Sequence, residues 1–345
     1  MPPYYFRDPA TRADARDFSR YAAALIIGAG DPVAAQDVAA ARGWERPASI
    51  LRAAVAAGTT SDATWAATLV DHQRVGAGFV ESLRQVGVFD AALALMTRVP
   101  LEGSVGVVTV GAVGNSQTAA SWRPISRLSL SGGKLELRHA TAAVAVAAEL
   151  LRVGGDPALD LLERELQGAV AAVVDQVFLG ELADSIAATV PSSGSTAAAV
   201  AADLGELLLE LKLGARSEPR LVVSADNAAR LATMTDTGGG FAFADMGPQG
   251  GRIAGVPVLV SDELGDDRIL AFDCVQIAAA SDVIVLDAAS AATLRLADPA
   301  DSSQPLTSLW QDNLTALRAQ RFFGFERLRP TASAVLTGLA LAGSS

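Results

Sequence analysis

A single cysteine, Cys274, rules out an intramolecular disulfide, and two histidines, His72 and His139, are too few to complete a structural zinc site with it. Lysine is nearly as scarce: Lys134 and Lys212 are the only two among 27 basic residues, so lysine-dependent chemistry has few candidates. Charged residues make up 19% of the 345 positions, few for a lone monomer in water. Net charge is −11 with a pI near 4.7, which argues against a protein that grips nucleic acid along its phosphates. No apolar run reaches the ~18 residues of a membrane span, and the opening MPPYYFRDPATRADARD lacks an export signal's charged-then-apolar pattern. The expectation is a soluble, unexported chain with no membrane partner. No G-x-S-x-G, H-E-x-x-H, C-x-x-C or phosphate-loop motif occurs, so no catalytic, cofactor-binding or metal-ligating residues are assigned.

What is present is apolar bulk. Half of the chain is hydrophobic, enough for two modest domains or one elaborated domain. Helical signals cover 13–25 and 32–42. Between them, Gly28-Ala29-Gly30-Asp31-Pro32-Val33 has part of a dinucleotide fingerprint, but Val33 holds the third glycine's place, so a turn between helices is the simpler reading. His72 falls on the polar side of a helix, as a solvated or capping side chain. Short strands are read at 96–100 and 106–110. Ser126–Leu130 and Leu135–Leu137 alternate around Gly132-Gly133, predicting a hairpin with its turn at the glycines.

Asp156-Pro157 opens the clearest helix, with Asp156 as N-cap. Its stripe is Leu159, Leu162, Leu166, Val170, Val173 and Val177, and a single stripe suits a helix laid along a sheet. Thr196 and Ser224 read as caps of two further helices, and Arg220–Ser224, Val256–Ser261, Ile269–Asp273 and Val283–Leu286 as strands. The acids of 262–267 match no calcium loop and read as a solvated turn. Cys274 reads as a buried small hydrophobe. Residues 306–330, LTSLWQDNLTALRAQRFFGFERLRP, concentrate Trp310, Phe322, Phe323 and Phe325 with four arginines, residue types favoured where protein surfaces meet. Periodicity leaves this segment open between helix and strand.

Three stretches together resemble tailed-bacteriophage major capsid proteins: Gln311-Asp312-Asn313 leading to Arg329-Pro330-Thr331-Ala332, the Arg252–Ser261 run with Gly255-Val256-Pro257-Val258, and Trp122-x-Pro124 before the hairpin. The resemblance covers residues 62–338 and implies an α+β fold of the phage major capsid (Johnson) type. It assigns 1–60 to an N-terminal arm, 61–118 and 144–185 to a P-domain with spine helix 157–180, and 119–143 to a projecting E-loop. It assigns 186–300 to an A-domain, 301–326 to a P-domain strand and 327–345 to a strand returning to the A-domain.

The implied function is a non-enzymatic shell subunit that self-assembles as pentamers and hexamers around double-stranded DNA, in the host cytoplasm and then the virion. Its partners would be itself, a portal, and scaffold or decoration proteins, with no cofactor. Some members weld neighbours by a lysine–asparagine isopeptide bond with an assisting glutamate. Asn313 matches the asparagine, but Arg123 holds the lysine's place and Gln320 the glutamate's, and a guanidinium stays charged and cannot accept the acyl group. A non-covalent shell with a retained N-arm is therefore expected. Cohesion would come from Arg123, Arg127 and Arg138 meeting Asp312 or Glu326 of a neighbour, with Lys134, Trp310, Asn313, Arg318 and Arg321 as further contact candidates. The competing readings are an encapsulin-like storage shell and, from another class, a nucleotide-dependent enzyme using Gly28–Val33.

Overall fold

The computed structural model describes residues 9–55, 76–101, 104–110, 129–184, 188–294 and 306–341. Three helices open it, α1 (Pro9–Ile27), α2 (Pro32–Ala41) and α3 (Glu45–Val55). Residues 76–82 are helical and lead to α4 (Val88–Leu93) and β1 (Thr97–Arg98). Next come β2 (Ser104–Val110), β3 (Ser129–Lys134), β4 (Arg138–Ala147), α5 (Ala148–Val153) and the long α6 (Gly155–Asp184). The chain continues through β5 (Thr189–Pro191), α7 (Ala197–Glu210), β6 (Pro219–Val223), α8 (Ala225–Thr233), β7 (Met246–Gly247), β8 (Gly250–Ile253), β9 (Val256–Val260) and β10 (Arg268–Asp273). It closes with β11 (Ile277–Ala289), β12 (Thr293–Leu294), β13 (Thr307–Ser308), β14 (Leu314–Arg327) and β15 (Ser333–Thr337).

Two sheets carry this α+β fold. One has the order β1-β11-β14-β4, and the other β5-β15-β10-β6-β9-β8-β7. The helix α6 runs past both. Its first half, Leu159 to Val170, shares a core with α1–α3 and with Ile284, Leu286, Leu317 and Ala319 of β11 and β14. Its second half, Val174 to Ala183, packs with Phe89 and with Phe272, Phe323 and Phe325 from the two sheets. A third core lies between α7, α8 and the seven-stranded sheet. At 30 residues α6 spans ~45 Å. It is long and apolar enough to cross a bilayer on composition alone, but its apolar stripe is packed inside the subunit.

Several expectations meet the structure closely. The stripe of α6 holds through Val170 and then runs along Val174 and Phe178, because steps of four keep a straight 3.6-residue helix on the core face. Val173 and Val177 are only partly buried. Thr196 and Ser224 cap α7 and α8, accepting from the amides of Ala199 and Asn227. The segment left open between helix and strand is β14: every second residue from Thr315 to Phe325 is buried, a period of two.

Others are corrected. Gly132 and Gly133 form no turn but lie inside β3, opposite Gly106 and Val105 of β2. The register of β2 therefore sets this ladder, and residues 104–110 belong with β3 rather than with the four-stranded sheet. Residues 138–143, assigned to the E-loop, pair with β14, and residues 277–289, assigned to the A-domain, pair with its other side. Asp156 stands in the first turn of α6, which starts one residue earlier at Gly155. Residues 9–55, within the segment expected as an N-terminal arm, form helices that pack in the α6 core, with Phe18 stacked on Phe79 at 4.3 Å. The Gly28–Val33 segment follows the helix α1, whereas a dinucleotide fingerprint needs a strand there. Asp31 caps α2 through the Val33 amide at 2.9 Å. His72 lies outside the described residues.

Candidate inter-subunit site

The assigned contact residues separate into buried, exposed and undescribed groups. Arg321 belongs to the first. Strand β14 places it on the same face as Leu317, Ala319, Phe323 and Phe325, and it is 0% exposed. Its guanidinium forks onto Asp90 of α4, Nη2 donating to Oδ1 at 2.5 Å and Nη1 to Oδ2 at 2.7 Å. Nε also donates to the Ser281 hydroxyl at 3.1 Å, and the Phe89 ring lies 5.7 Å below. Arg321 is therefore an internal lock and not a contact residue, since a guanidinium buried on its own acid is out of a neighbour's reach.

Asp175 of α6 lies at the N-terminal end of α4, near Asp90. Its carboxylate accepts from the amides of Val88 at 2.7 Å and Phe89 at 2.9 Å, closing the open end of α4. Burial pushes its carboxyl up to about 6, with the nearby Asp90 charge adding to the rise against the two amide bonds. The path α6–Asp175–α4–Asp90–Arg321–β14 thus ties the long helix to the long strand. Sequence reading missed Asp90, Asp175 and Ser281. The strand parity of 315–325 was the signal that marked Arg321 as needing a buried acid.

Arg138 is also largely committed within the subunit. Nε donates to Glu181 Oε1 at 2.7 Å and Nη2 to Oε2 at 2.5 Å, and its guanidinium lies 4.4 Å over the Phe325 ring. Only 15% of that side chain is exposed. Arg318 pairs with Asp287 at 2.6 Å, both about half exposed, a screened contact of small energy.

The turn before β14 is different. Trp310 is 78% exposed and Leu306 64% exposed, an unusual display of apolar area. Asp312 and Glu326 make no ion pair among the described residues. Asn313 adopts a left-handed φ of 53° and donates through its side-chain amide to Glu149 of α5. Lys134 is the last residue of β3, opposite Ser104. Arg123 and Arg127 lie outside the described residues. Cys274 is buried, and that burial pushes its thiol up to about 12, so it remains an inert thiol at working pH. Among the described residues no group of three or more acids, histidines or cysteines is placed to hold a metal.

The profile of the phage capsid family matches residues 66–338. A capsid polyprotein of Pseudomonas phage PAJU2 is 31% identical over 321 residues, covering 84% of this chain and 48% of that protein. The chain thus spans about half the length of that relative. Among solved structures, one from Gordonia phage Cozz has a TM-score of 0.48 at 16% identity, covering 72% of this chain and 86% of that one. A chain from a native GTA particle's capsid has a TM-score of 0.46 at 18% identity, covering 76% and 91% respectively. With the profile match spanning most of its length, this chain belongs to the phage capsid family.

Proposed function

We propose that this chain is the shell-forming subunit of a phage head, assembling with copies of itself as pentamers and hexamers around double-stranded DNA. The match of the family profile over 66–338 carries this reading. The role is structural rather than catalytic, assembly takes place in the host cytoplasm, and the product is the virion shell. A portal and any scaffold or decoration proteins complete the particle. The exposed Trp310 and Leu306 support the reading, because burial of such side chains against a neighbour contributes on the order of 2 kcal/mol each. Many weak contacts then become strong through multivalency.

The shell is held without covalent bonds. Arg123 occupies the lysine's place, and Asn313 is engaged by Glu149 of its own subunit. Purified full-length chain, examined by sedimentation and negative-stain microscopy, is expected to give closed particles. Those particles are expected to run as monomers on a denaturing gel. A solitary monomer at micromolar concentration overturns the shell reading, and a ladder of covalent multimers overturns the non-covalent one.

A further inference from the structure

Among the described residues, the two ends of the strands β6 and β10 differ in charge: unpaired cations gather at one, where Glu218 is paired with Arg220 at 3.5 Å, and unpaired acids gather at the other. The strands run antiparallel, with Asp273 opposite Pro219 and Leu270 opposite Val222. At the Pro219–Asp273 end lies a hollow of about 370 Å³ lined by Lys212, Gly214, Arg216, Ser217, Gln276 and Arg329 among others. Among the described residues three cations line it and no acid does. Lys212, Arg216 and Arg329 are exposed and make no ion pair among the described residues. At the other end, between β9 and β10, the loop 262–267 displays Asp262, Glu263 and Asp266, also exposed and without a cationic partner among the described residues. Burial and the charge of Asp262 push the Glu263 carboxyl up, the direction expected of an acid lacking a nearby cation.

The five-residue separation along β10 sets the two patches at least ~17 Å apart, too far for them to neutralise one another across a screened surface. In a chain of net charge −11, three cations that have no ion pair among the described residues and gather on one hollow stand out against the mean field. A donor patch at one pole and its complement at the opposite pole make a heterologous, head-to-tail contact, which closes into a ring when the rotation permits. We propose that the acidic loop 262–267 of one subunit docks into the Lys212–Arg216–Arg329 hollow of the next, forming the ring contact of the shell. This deepens the shell-subunit reading and depends on it. Loop and hollow set register and association rate, while apolar contacts elsewhere supply most of the affinity.

Two reversal variants of the full chain test the contact. One is Lys212→Glu with Arg216→Glu and Arg329→Glu; the other is Asp262→Lys with Glu263→Lys and Asp266→Lys. All six side chains are exposed, so both variants are expected to melt like the parent before assembly. Each alone is expected to raise the subunit concentration for half-assembly by about tenfold or more, because like charges then face each other. Carrying both sets in one chain restores complementarity and returns the threshold to near the parent's. An equimolar mixture of the two variants forms only rings with an even number of subunits, because each must alternate with the other.

Assembly of either variant at the parent's threshold overturns the contact. So does a hollow-reversed variant that assembles normally but loses bound nucleic acid, which would assign the hollow to phosphodiesters. A doubly reversed chain that melts normally yet stays dissociated also overturns it. Failure of the parent itself to assemble removes the shell reading instead.

Discussion

Replacing Arg321 by Met leaves the Asp90 carboxylate, whose side chain is 2% exposed in the parent, without its two charge-assisted bonds and with Asp175 close by. Breaking one side of a buried ion pair costs about 3–5 kcal/mol, because the remaining charge has lost both water and partner. Asp90→Ala strands the guanidinium in the same way, with only Ser281 left to accept from it, and falls in the same range. The double change Asp90→Leu with Arg321→Met removes both charges and fills much of the volume. Such replacements run from neutral to mildly stabilising, so the pair together should cost no more than about 1–2 kcal/mol. Arg321→Lys keeps the charge but not the fork and should fall between. The assay is urea unfolding of unassembled subunit, read as the shift in extrapolated free energy at constant slope. Additive single and double effects, or a loss under about 1 kcal/mol for Arg321→Met, would refute the buried lock.

The Asp175 carboxyl titrates near 6 in the folded chain and near 3.8 unfolded, so the folded state binds more protons between these values. Stability from this group is therefore highest below ~4, falls as pH rises through the window, and is lower by about 3 kcal/mol above it. Asp175→Asn should flatten the stability difference between pH 4 and pH 7 by about that amount, and an unchanged pH profile would contradict the assignment. Gly324→Ala places a Cβ 2.8 Å from the Glu136 carbonyl oxygen and 3.0 Å from Leu135. Inside β14 this should cost about 1–3 kcal/mol by overpacking, read as a lowered melting temperature. Trp310→Ala removes a side chain that touches little of its own subunit, so the melting temperature should move by less than the equivalent of about 0.5 kcal/mol while the assembly threshold rises.

Much of this was legible before the structure because local chemistry agreed with the fold. The stripe of α6, the Thr196 and Ser224 caps and the turn at Gly28–Val33 each needed only nearby residues. Long-range partners were not legible. Arg321 was assigned to the surface on residue type, although its parity with Leu317, Phe323 and Phe325 already pointed inward. Its acid lies 231 positions away, so no local pattern could supply the pair. Gly132-Gly133 was read as a turn because two glycines permit one, while the competing factor was the match of β3 to a valine-rich β2 whose own Gly106 faces Gly132. The basic hollow gathers Lys212, Arg216 and Arg329 from segments more than 100 residues apart, so it was invisible in sequence.

The polar groups are divided between two tasks. Inside, Asp175, α4, Asp90 and Arg321 link the spine helix to the longest strand through charge-assisted bonds that solvent cannot screen. Such a link holds α6 and β14 in one geometry, and with them the Trp310 turn that precedes β14 and the Glu149–Asn313 contact beside it. Outside, the pairs are of the opposite kind. Arg318–Asp287 and Arg268–Asp184 are both about half exposed, and either can exchange partners at little cost. A subunit built this way meets its neighbour with the interior already ordered, so less conformational entropy is lost on association. Loosening the buried lock should then weaken assembly beyond what the loss of subunit stability explains. An Arg321→Lys variant, at a temperature where it is fully folded, is expected to assemble at a higher threshold than the parent, and an equal threshold would show that order inside the subunit and contact outside it are independent.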